Sequence, residues 1–269
     1  MGGLRRLGVL GWPVAHSRSP AMHRAALAAI GRTDLTYQRL PVPPEAFAET
    51  VRALPAAGFR GVNVTIPHKE AALALADRAS DAARAIGAAN TLTFEDGAIL
   101  ADNTDAPGLL AVLGESPAGR TALVLGAGGA GRAAVWALVS AGAADVAVWN
   151  RTPERARALA AELGARAVEA PKPAEIVVNC TSVGLHDPEA TFKALPVQAD
   201  ELDAGSLVVD MVYRAGETRF LEAARTRGAR VVDGLEVLVA QGAASFERWT
   251  GLEAPREAMR AAATTIAET

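Results

Sequence analysis

The sequence predicts an α/β protein with two α/β domains, the second a doubly wound parallel sheet. Short apolar stretches alternate with helical ones along all 269 residues, which is typical of strands joined by crossover helices. A glycine-rich turn at 126–131 follows one apolar strand and opens a helix. The chain also reaches the length at which proteins usually divide into domains, which favours two hydrophobic cores.

The elements of the first block are predicted from apolar stretches bounded by polar or glycine-containing turns. Strands are expected at 7–11, 35–42 and 61–66, and helices at 19–30, 44–54, 69–76, 80–86 and 104–113. Residues 91–100 are expected to form a hairpin, because Asp96-Gly97 favours the positive φ angles of a tight turn. Ser19 is expected to cap the first helix, with Pro20 as its first helical residue.

The second block is predicted to continue the alternation. Strands are expected from Thr121 and at 145–149, 176–180, 206–211 and 230–232, with a helix at 130–141. After Asp233-Gly234 the chain is expected to be helical to Trp249, to break at Thr250-Gly251 and to restart at Pro255. We expect these C-terminal helices to pack back on the first domain.

The glycine turn indicates a dinucleotide site. Gly126, Gly128 and Gly131 have the G-x-G-x-x-G spacing, which allows a tight turn, close approach of the backbone to a pyrophosphate and close packing of the next helix. The N-terminus of that helix presents N–H groups and a positive dipole end to the phosphates. The alternative is a structural turn, but the strand–turn–helix context favours a Rossmann domain.

The end of the next strand indicates which dinucleotide binds. NAD-binding strands usually end in Asp or Glu, which accepts hydrogen bonds from the adenine ribose. Here the strand ends in Asn150-Arg151-Thr152, and Arg155 follows one turn later. An arginine fork binds a 2′-phosphate that a carboxylate would repel. The cofactor is therefore expected to be NADP(H), and the alternative is a pair of solvated arginines.

Composition narrows the class of protein further. A net charge of −3 gives no general attraction to nucleic acid or anionic membranes, and no apolar run approaches the ~20 residues of a membrane span. The N-terminal residues lack the pattern of a signal peptide. The single cysteine, Cys180, excludes an internal disulfide and is expected to be buried at a strand end. We therefore expect a cytoplasmic protein that binds neither nucleic acid nor membrane.

Three polar clusters of the first block are candidates for catalysis. Ser17 and Ser19 could together donate hydrogen bonds to a carboxylate, although capping also explains them. Lys69 lies in a predicted first helical turn, where a cation is electrostatically disfavoured, so it is either an acid–base group or a solvated lysine. The third cluster combines Asn90 with Asp105. Asp105 could supply the negative charge that keeps a lysine protonated, or could only interact favourably with the dipole at the start of a helix.

The histidines are assigned no catalytic role. His68 follows Pro67 at a strand exit, which favours a structural role over an acid–base one. The four histidines are too scattered to suggest a metal site: they are His16, His23, His68 and His186.

These motifs, taken together, resemble the shikimate dehydrogenase family of the AroE type. The matching segments run in order along about 225 residues: 16–23, 61–69, 89–91, 102–105, 126–131, 150–152, 179–184, 210–213 and 233–241. The resemblance implies reversible NADPH-dependent reduction of 3-dehydroshikimate to shikimate, a step of aromatic amino acid biosynthesis. It also implies two domains, one of residues 1–103 plus 240–269 for substrate binding and catalysis, the other of residues 104–239 for NADP.

The resemblance implies a role for each matched site residue. Lys69 would be the general acid or base, paired with Asp105. The substrate would be held by Ser17, Ser19, Thr65, Asn90, Asp105, Tyr213 and Gln241. The cofactor would be held by Gly126, Ala127, Gly128, Gly129, Ala130, Asn150, Arg151, Thr152, Arg155, Thr181, Met211 and Gly234. No metal is implied. A homodimer is the expected assembly, although the sequence leaves the oligomeric state open.

The sequence departs from the family pattern at three places: Ala106-Pro107, Arg214-Ala215 and Gly242. These departures leave substrate positioning open, and the reactivity of Cys180 and the extent of domain closure are open as well. The main alternative is a quinate/shikimate dehydrogenase, which more often uses NAD; Ser19 and Arg151 speak against it. A non-catalytic NADP-binding regulatory homologue would be expected to lose Lys69 and Asp105. Tetrahydrofolate-linked dehydrogenases lack the serine pair.

Overall fold

The computed structural model describes residues 5–172, 174–214 and 216–265, and in these ranges the chain forms twelve strands and eleven α-helices. They divide into two compact units. The first unit comprises the described residues up to Thr104 together with those from Val239 onward, and the second is Asp105–Leu238. These limits differ by one residue from the predicted ones at each junction. The substrate and nucleotide roles of the units remain predictions.

The first unit contains a six-stranded mixed sheet in the order β2-β1-β3-β5-β6-β4. Its strands are β1 (Arg5–Gly11), β2 (Leu35–Pro41), β3 (Phe59–Val64), β4 (Arg78–Ala79), β5 (Thr91–Glu95) and β6 (Ala98–Asp102). β1 is parallel to both neighbours, whereas β5 is antiparallel to β3 and β6. The predicted hairpin is confirmed, and its turn residues Asp96 and Gly97 have φ angles of 51° and 78°.

Helices cover this sheet, and they include one C-terminal helix and most of another. The helices are α1 (Ser19–Ala29), α2 (Phe47–Ala53), α3 (Lys69–Leu75), α4 (Asp81–Ile86), α10 (Gly234–Thr250), which spans the junction, and α11 (Arg256–Thr264). α1 packs against α11, and Arg18 Nη1 donates to Ala263 O at 2.8 Å. Trp249, fully buried on α10, donates from Nε1 to Leu92 O of β5 at 3.1 Å. The prediction that the C-terminal helices pack on the first domain is therefore confirmed.

The second unit contains a six-stranded sheet in the order β12-β11-β10-β7-β8-β9, with parallel pairing throughout. Its strands are β7 (Thr121–Leu125), β8 (Asp145–Trp149), β9 (Arg166–Ala167), β10 (Ile176–Asn179), β11 (Leu207–Asp210) and β12 (Arg230–Val232). Its helices are α5 (Asp105–Val112), α6 (Gly129–Ser140), α7 (Pro153–Leu163), α8 (Thr191–Ala194) and α9 (Arg219–Thr226). The strand order reverses beside β7, and ligands of doubly wound sheets bind at such a switch point.

Alternate residues of β7 explain why this sheet is covered on both faces. Val124 belongs to an apolar cluster with Val135 and Leu138 of α6, whereas Leu123 and Leu125 belong to a second cluster with Phe220 of α9. Because strand side chains point to opposite faces in turn, a strand buried on both faces reads as a continuous apolar run. The predicted fold class is confirmed.

Several predicted boundaries are wrong by one or two residues, and one predicted cap is wrong. α1 begins at Ser19 itself, Arg18 occupies the N-cap position, and no side chain caps the helix. Pro255 precedes α11 rather than starting it. Cys180 lies beyond the end of β10 and is half-buried rather than buried. The two-residue strands β4 and β9 are too short to leave a periodic pattern in the sequence.

None of the helices in the described ranges is both long and apolar enough to cross a lipid bilayer.

Candidate active site

The serine loop lies between β1 and α1 and is held by its backbone. Ser17 and Ser19 are both buried, and Ser17 Oγ accepts a hydrogen bond from Ser19 N at 3.3 Å. Arg39 of β2 donates from Nε and Nη2 to Ser17 O at 3.2 and 2.8 Å. The guanidinium of Arg39 therefore orients the loop, a role that the sequence analysis missed because β2 carries no recognisable motif.

The segment from Thr65 to Lys69 connects β3 to α3. Lys69 is the first residue of α3, as predicted, and its side chain is half-buried. His68 is buried, stacks on Phe47 at 4.4 Å between ring centroids, and lies with Nε2 2.7 Å from Val42 O. Since a carbonyl oxygen only accepts, that nitrogen is the donor. These contacts agree with a structural role for His68, which anchors the start of the helix that carries Lys69.

A backbone hydrogen bond joins Lys69 to the segment that carries Asn90, since Ala89 N donates to Lys69 O at 2.8 Å. Asn90 is buried, and its Nδ2 donates to Gln241 Oε1 at 3.2 Å. The structure thus brings together two predicted substrate residues that lie 151 positions apart in the sequence. Both belong to the first unit.

Asp102 and Asp105 have different surroundings. Asp102 is an acceptor for Ser80 Oγ at 2.5 Å and for Asn103 N at 2.8 Å, and it forms an ion pair with Arg248. Asp105 is buried and is the first residue of α5. Asp102 is therefore engaged by structural partners. The pairing of Asp105 with Lys69 stays a prediction.

Gly242, one of the three departures from the family pattern, has a packing reason. A Cβ at this position would lie 2.3 Å from Met22 Cε and 3.5 Å from His23 Nε2. The Met22 side chain of α1 thus occupies the space that an alanine would need, whereas His23 stays at ordinary contact distance. Of the other departures, Ala106 is buried on α5, whereas Ala215 lies outside the described residues.

The glycine turn of the second unit has the geometry that a dinucleotide requires. A Cβ at Gly131 would lie 2.0 Å from Gly126 O, so helix α6 packs on the turn at a distance only glycine permits. Gly126 has a φ of 109°. At Gly128 a Cβ would have no described atom within 4 Å, which leaves open space beside the first turn of α6. The residues present therefore fit a pyrophosphate, with N–H groups of α6 as donors.

The end of β8 is joined to this turn through Asn150. Asn150 Oδ1 accepts from Ala127 N at 3.1 Å, and its Nδ2 donates to Thr152 O at 2.9 Å. The amide therefore links the glycine turn to the start of α7. Arg151, Thr152 and Arg155 are exposed around that helix start.

The ends of β10 and β11 carry the remaining predicted cofactor residues. Thr181 Oγ1 donates to Asn179 Oδ1 at 2.7 Å. Gly234 packs closely on residues 210–212, since a Cβ at this position would lie 2.7 Å from Val212 O. Cys180 Sγ is 3.4 Å from Met211 Sδ. Tyr213 is half-buried.

A buried carboxylate that the sequence analysis left without a role holds this region together. Asp210 accepts from Thr218 Oγ1 at 2.6 Å, Asn179 Nδ2 at 2.9 Å and Val212 N at 3.0 Å. Burial raises the pKa of Asp210 to about 6; the three hydrogen bonds act against this rise, and the charge of Asp233 adds to it. Asp210 therefore ties the end of β10 and the start of α9 to the segment that carries Tyr213.

The doubly wound sheet, the glycine turn and the arginines after β8 define the chain as a dinucleotide-binding α/β dehydrogenase. Family models match three stretches of the chain: the shikimate dehydrogenase substrate binding domain at 9–92, shikimate / quinate 5-dehydrogenase at 111–182, and the shikimate 5′-dehydrogenase C-terminal domain at 234–264. The chain belongs to the shikimate dehydrogenase family.

Individual relatives extend over nearly the whole chain. A protein of Thermus thermophilus named shikimate dehydrogenase (NADP(+)) is 50% identical, over 92% of this chain and 93% of its own length. The structure of a shikimate 5-dehydrogenase from Thermus thermophilus in complex with NADP(H) and shikimate has a TM-score of 0.87 and 46% identity, covering 96% of this chain and 98% of that one. A ligand-free 5-ketofructose reductase of a Gluconobacter species has a TM-score of 0.85 and 33% identity, covering 96% and 97%.

Proposed function

We propose that this protein catalyses the reversible NADP-dependent interconversion of shikimate and 3-dehydroshikimate. The observation that carries the proposal is the hydrogen bond between Asn90 and Gln241. It brings together two predicted substrate residues from distant segments of the chain. The Thermus relatives, named for this activity or solved with NADP(H) and shikimate, support it. The confirmed family makes a non-catalytic homologue the weaker alternative.

The substrate is proposed to bind by complementary hydrogen bonds. Ser17 and Ser19 would donate to its carboxylate, since both are buried at the start of α1, where Arg39 holds the backbone of Ser17. The ring hydroxyls would be bound by Thr65, Asn90, Asp105, Tyr213 and Gln241. Asn90 and Gln241 suit this role because amide groups both donate and accept.

The cofactor is proposed to bind to the second unit. Gly126, Ala127, Gly128, Gly129 and Ala130 would hold the pyrophosphate, since the turn has open space at Gly128. Arg151, Thr152 and Arg155 would bind the 2′-phosphate, with Asn150 holding their segment to the glycine turn. Thr181, Met211 and Gly234 would line the nicotinamide side.

Lys69 is proposed to move the proton. Bound NADPH supplies a hydride to the ketone carbon. Lys69 Nζ would donate a proton to the ketone oxygen and would accept it back in the oxidation of shikimate. Asp105 would supply the negative charge that keeps the ammonium oriented. The residues that bind the carboxylate and ring hydroxyls would fix the carbonyl against both groups, which is how positioning lowers the barrier.

The first test is NADP⁺ reduction followed at 340 nm with shikimate, run beside NAD⁺ and beside quinate. Turnover that needs both shikimate and NADP⁺ would support the proposal. Turnover with quinate or NAD⁺ would favour a quinate/shikimate dehydrogenase. Because one structural neighbour is a 5-ketofructose reductase, NADPH oxidation with 5-ketofructose is the matched specificity control. NADP⁺ binding without turnover of any substrate would favour the alternative that the protein is a non-catalytic regulatory homologue.

Two further features belong to the same proposal. A cytoplasmic location agrees with a chain that has one cysteine. A homodimer is proposed from the family resemblance, and light scattering of the purified protein measures it directly.

A further inference from the structure

Behind Asn90 and Gln241 the first unit contains a cluster of buried polar side chains. Its members come from distant parts of the chain: Tyr37, Asn63, Thr91, Thr104 and Ser245. Buried polar groups are costly unless they are hydrogen-bonded, and a fully satisfied cluster defines one arrangement of the segments it joins. This cluster therefore helps to hold α10 against β3 and β5.

Backbone groups fix the direction of the hydrogen bonds in the cluster. Asn63 Nδ2 is 3.3 Å from Asn90 O, and since a carbonyl only accepts, this atom of the amide is the donor. The other end, Asn63 Oδ1, then accepts from Tyr37 Oη at 2.8 Å. Asn90 Oδ1 is fixed in the same way, because it accepts from Thr104 N at 2.7 Å. Asn90 Nδ2 is thereby directed at Gln241.

Ser245 is where these contacts meet. Its Oγ accepts from Asn63 Nδ2 at 2.8 Å and lies 3.0 Å from Thr91 Oγ1 and 3.1 Å from Thr104 Oγ1. It also donates to Gln241 O, one turn earlier in α10, at 3.1 Å. Thr91 and Thr104 in turn hydrogen-bond to the Asn90 side chain. One hydroxyl thus contacts the backbone of Gln241 and both threonines that surround Asn90.

We propose that Ser245 is a positioning residue, which holds Asn90 and Gln241 in the arrangement that binds the substrate hydroxyls. The inference rests on the proposed function. Removal of the hydroxyl takes from Asn63 Nδ2 and the two threonines the partner that also contacts the backbone of Gln241. The direct hydrogen bond between Asn90 and Gln241 then loses this support. Substrate binding is affected, whereas the residues proposed to bind NADP lie in the second unit and Ser245 lies in the first.

The test is steady-state kinetics of Ser245→Ala with shikimate and NADP⁺ varied separately, together with the melting temperature. The expected result is a KM for shikimate raised about tenfold, from one or more lost hydrogen bonds, with the KM for NADP⁺ unchanged. Tyr37→Phe, at the far end of the cluster, is expected to raise the shikimate KM by a smaller factor, because Asn63 Oδ1 loses its donor. A purely structural role would lower the melting temperature and leave both KM values as they are.

The matched control is Thr250→Ala. Thr250 Oγ1 donates to Phe246 O at 2.8 Å, the same four-residue contact in the same helix, but Thr250 lies outside the cluster. Its kinetics are expected to equal those of the wild type. An unchanged shikimate KM in folded Ser245→Ala overturns the proposal. If that variant does not fold, an unchanged KM in Tyr37→Phe overturns it. Wild-type protein that does not turn over shikimate refutes the proposed function itself.

Discussion

Lys69 combines a half-buried side chain with a backbone that is held on both sides. Ala89 N donates to its carbonyl oxygen, and the residue before it, His68, is anchored to Val42 O. A cation in the first turn of a helix is disfavoured by the helix dipole, so this position carries an electrostatic cost. A residue that violates a local preference at a well-ordered position is often functional.

Replacement of Lys69 tests its proposed role as the proton donor. Lys69→Ala is expected to lower kcat by a factor of ~10²–10⁴, the usual size of a general acid–base contribution, with NADP⁺ affinity little changed. The measurement is the initial rate at saturating substrates, with NADP⁺ binding measured by fluorescence. Lys193→Ala is the control, because Lys193 is exposed in the second unit. Wild-type turnover in Lys69→Ala would exclude Lys69 as the acid.

Replacement of Arg151 tests whether this side chain binds the 2′-phosphate. Arg151→Ala is expected to raise the KM for NADPH about tenfold or more and to narrow the preference over NADH, since a charge-assisted hydrogen bond is lost. The ratio of kcat/KM for the two cofactors is the quantity to measure. Arg157 of α7 is a matched control, because this exposed arginine pairs with Glu154 and Glu169. An unaltered cofactor ratio in Arg151→Ala would mean that other residues bind the phosphate.

At the scale of elements, the junction of β7 with α6 separates packing from ligand access. Gly131 and Gly128 belong to the same motif, yet a Cβ at Gly131 would meet Gly126 O at 2.0 Å, whereas a Cβ at Gly128 would face open space. Gly128 also has an ordinary φ of −92°. Gly131 is therefore required by the fold, whereas Gly128 is proposed to allow the close approach of a ligand.

Substitution of the two glycines is expected to affect different properties, stability at Gly131 and cofactor binding at Gly128. Gly131→Ala should lower the free energy of unfolding by about 1–3 kcal/mol, because the helix or the turn must shift. Gly128→Ala should keep the stability of the wild type but weaken NADP⁺ binding, because the added methyl group occupies the approach to the backbone. Chemical denaturation and NADP⁺ titration of both variants separate these effects. An equal free energy of unfolding for Gly131→Ala and Gly128→Ala would contradict the inference that close packing requires a glycine at position 131.

At the scale of the whole molecule, two buried titrating groups, one in each unit, give opposite pH dependences. Burial lowers the pKa of His23 to about 3, the side chain of Asn63 opposing part of the shift, whereas burial raises the pKa of Asp210 to about 6. Neither ring nitrogen of His23 has a hydrogen-bond partner among the described residues, and the ring stacks on Tyr37 at 4.2 Å. His23 is thus held neutral by burial among aromatic rings.

The sign for each group follows from which state binds more protons. Below its ordinary pKa of 6.5, unfolded His23 takes up a proton that the folded protein refuses, so its contribution to stability is lost as the pH falls from 6.5 towards 3. Asp210 acts in the opposite direction: folded protein keeps a proton that the unfolded chain releases, so its contribution is lost as the pH rises from 3.8 through 6. The two effects partly cancel in the wild type.

A variant isolates the contribution of His23. With His23→Leu, the difference in the free energy of unfolding from the wild type should be constant above pH 6.5. Below that pH it should change in favour of the variant by up to about 1.4 kcal/mol per pH unit. Urea denaturation between about pH 4 and pH 8 measures it. A difference that does not depend on pH would show that His23 titrates normally in the folded protein.

Much of the fold and the cofactor class followed from contiguous patterns. The glycine turn, the arginines after β8 and the position of Lys69 at a helix start were all predicted, because each motif lies within one strand–turn–helix unit. The predicted cap at Ser19 was wrong, because helix α1 begins at Ser19 itself, one residue earlier than a capping serine would allow. The segment before the helix is held by Arg39 of β2 and, through Arg18, by α11, and these contacts form only after folding.

What the sequence determined by itself is therefore local: alternation of strands and helices, a turn that only glycine can form, and the charges at a strand end. Tertiary structure alone decided that Asn150 links two turns, that Met22 fills the space beside Gly242, and that Ser245 joins the threonines around Asn90. The reason is physical. Backbone conformation depends on near neighbours, whereas hydrogen bonds and contacts between residues far apart in the chain exist only after packing has brought them together.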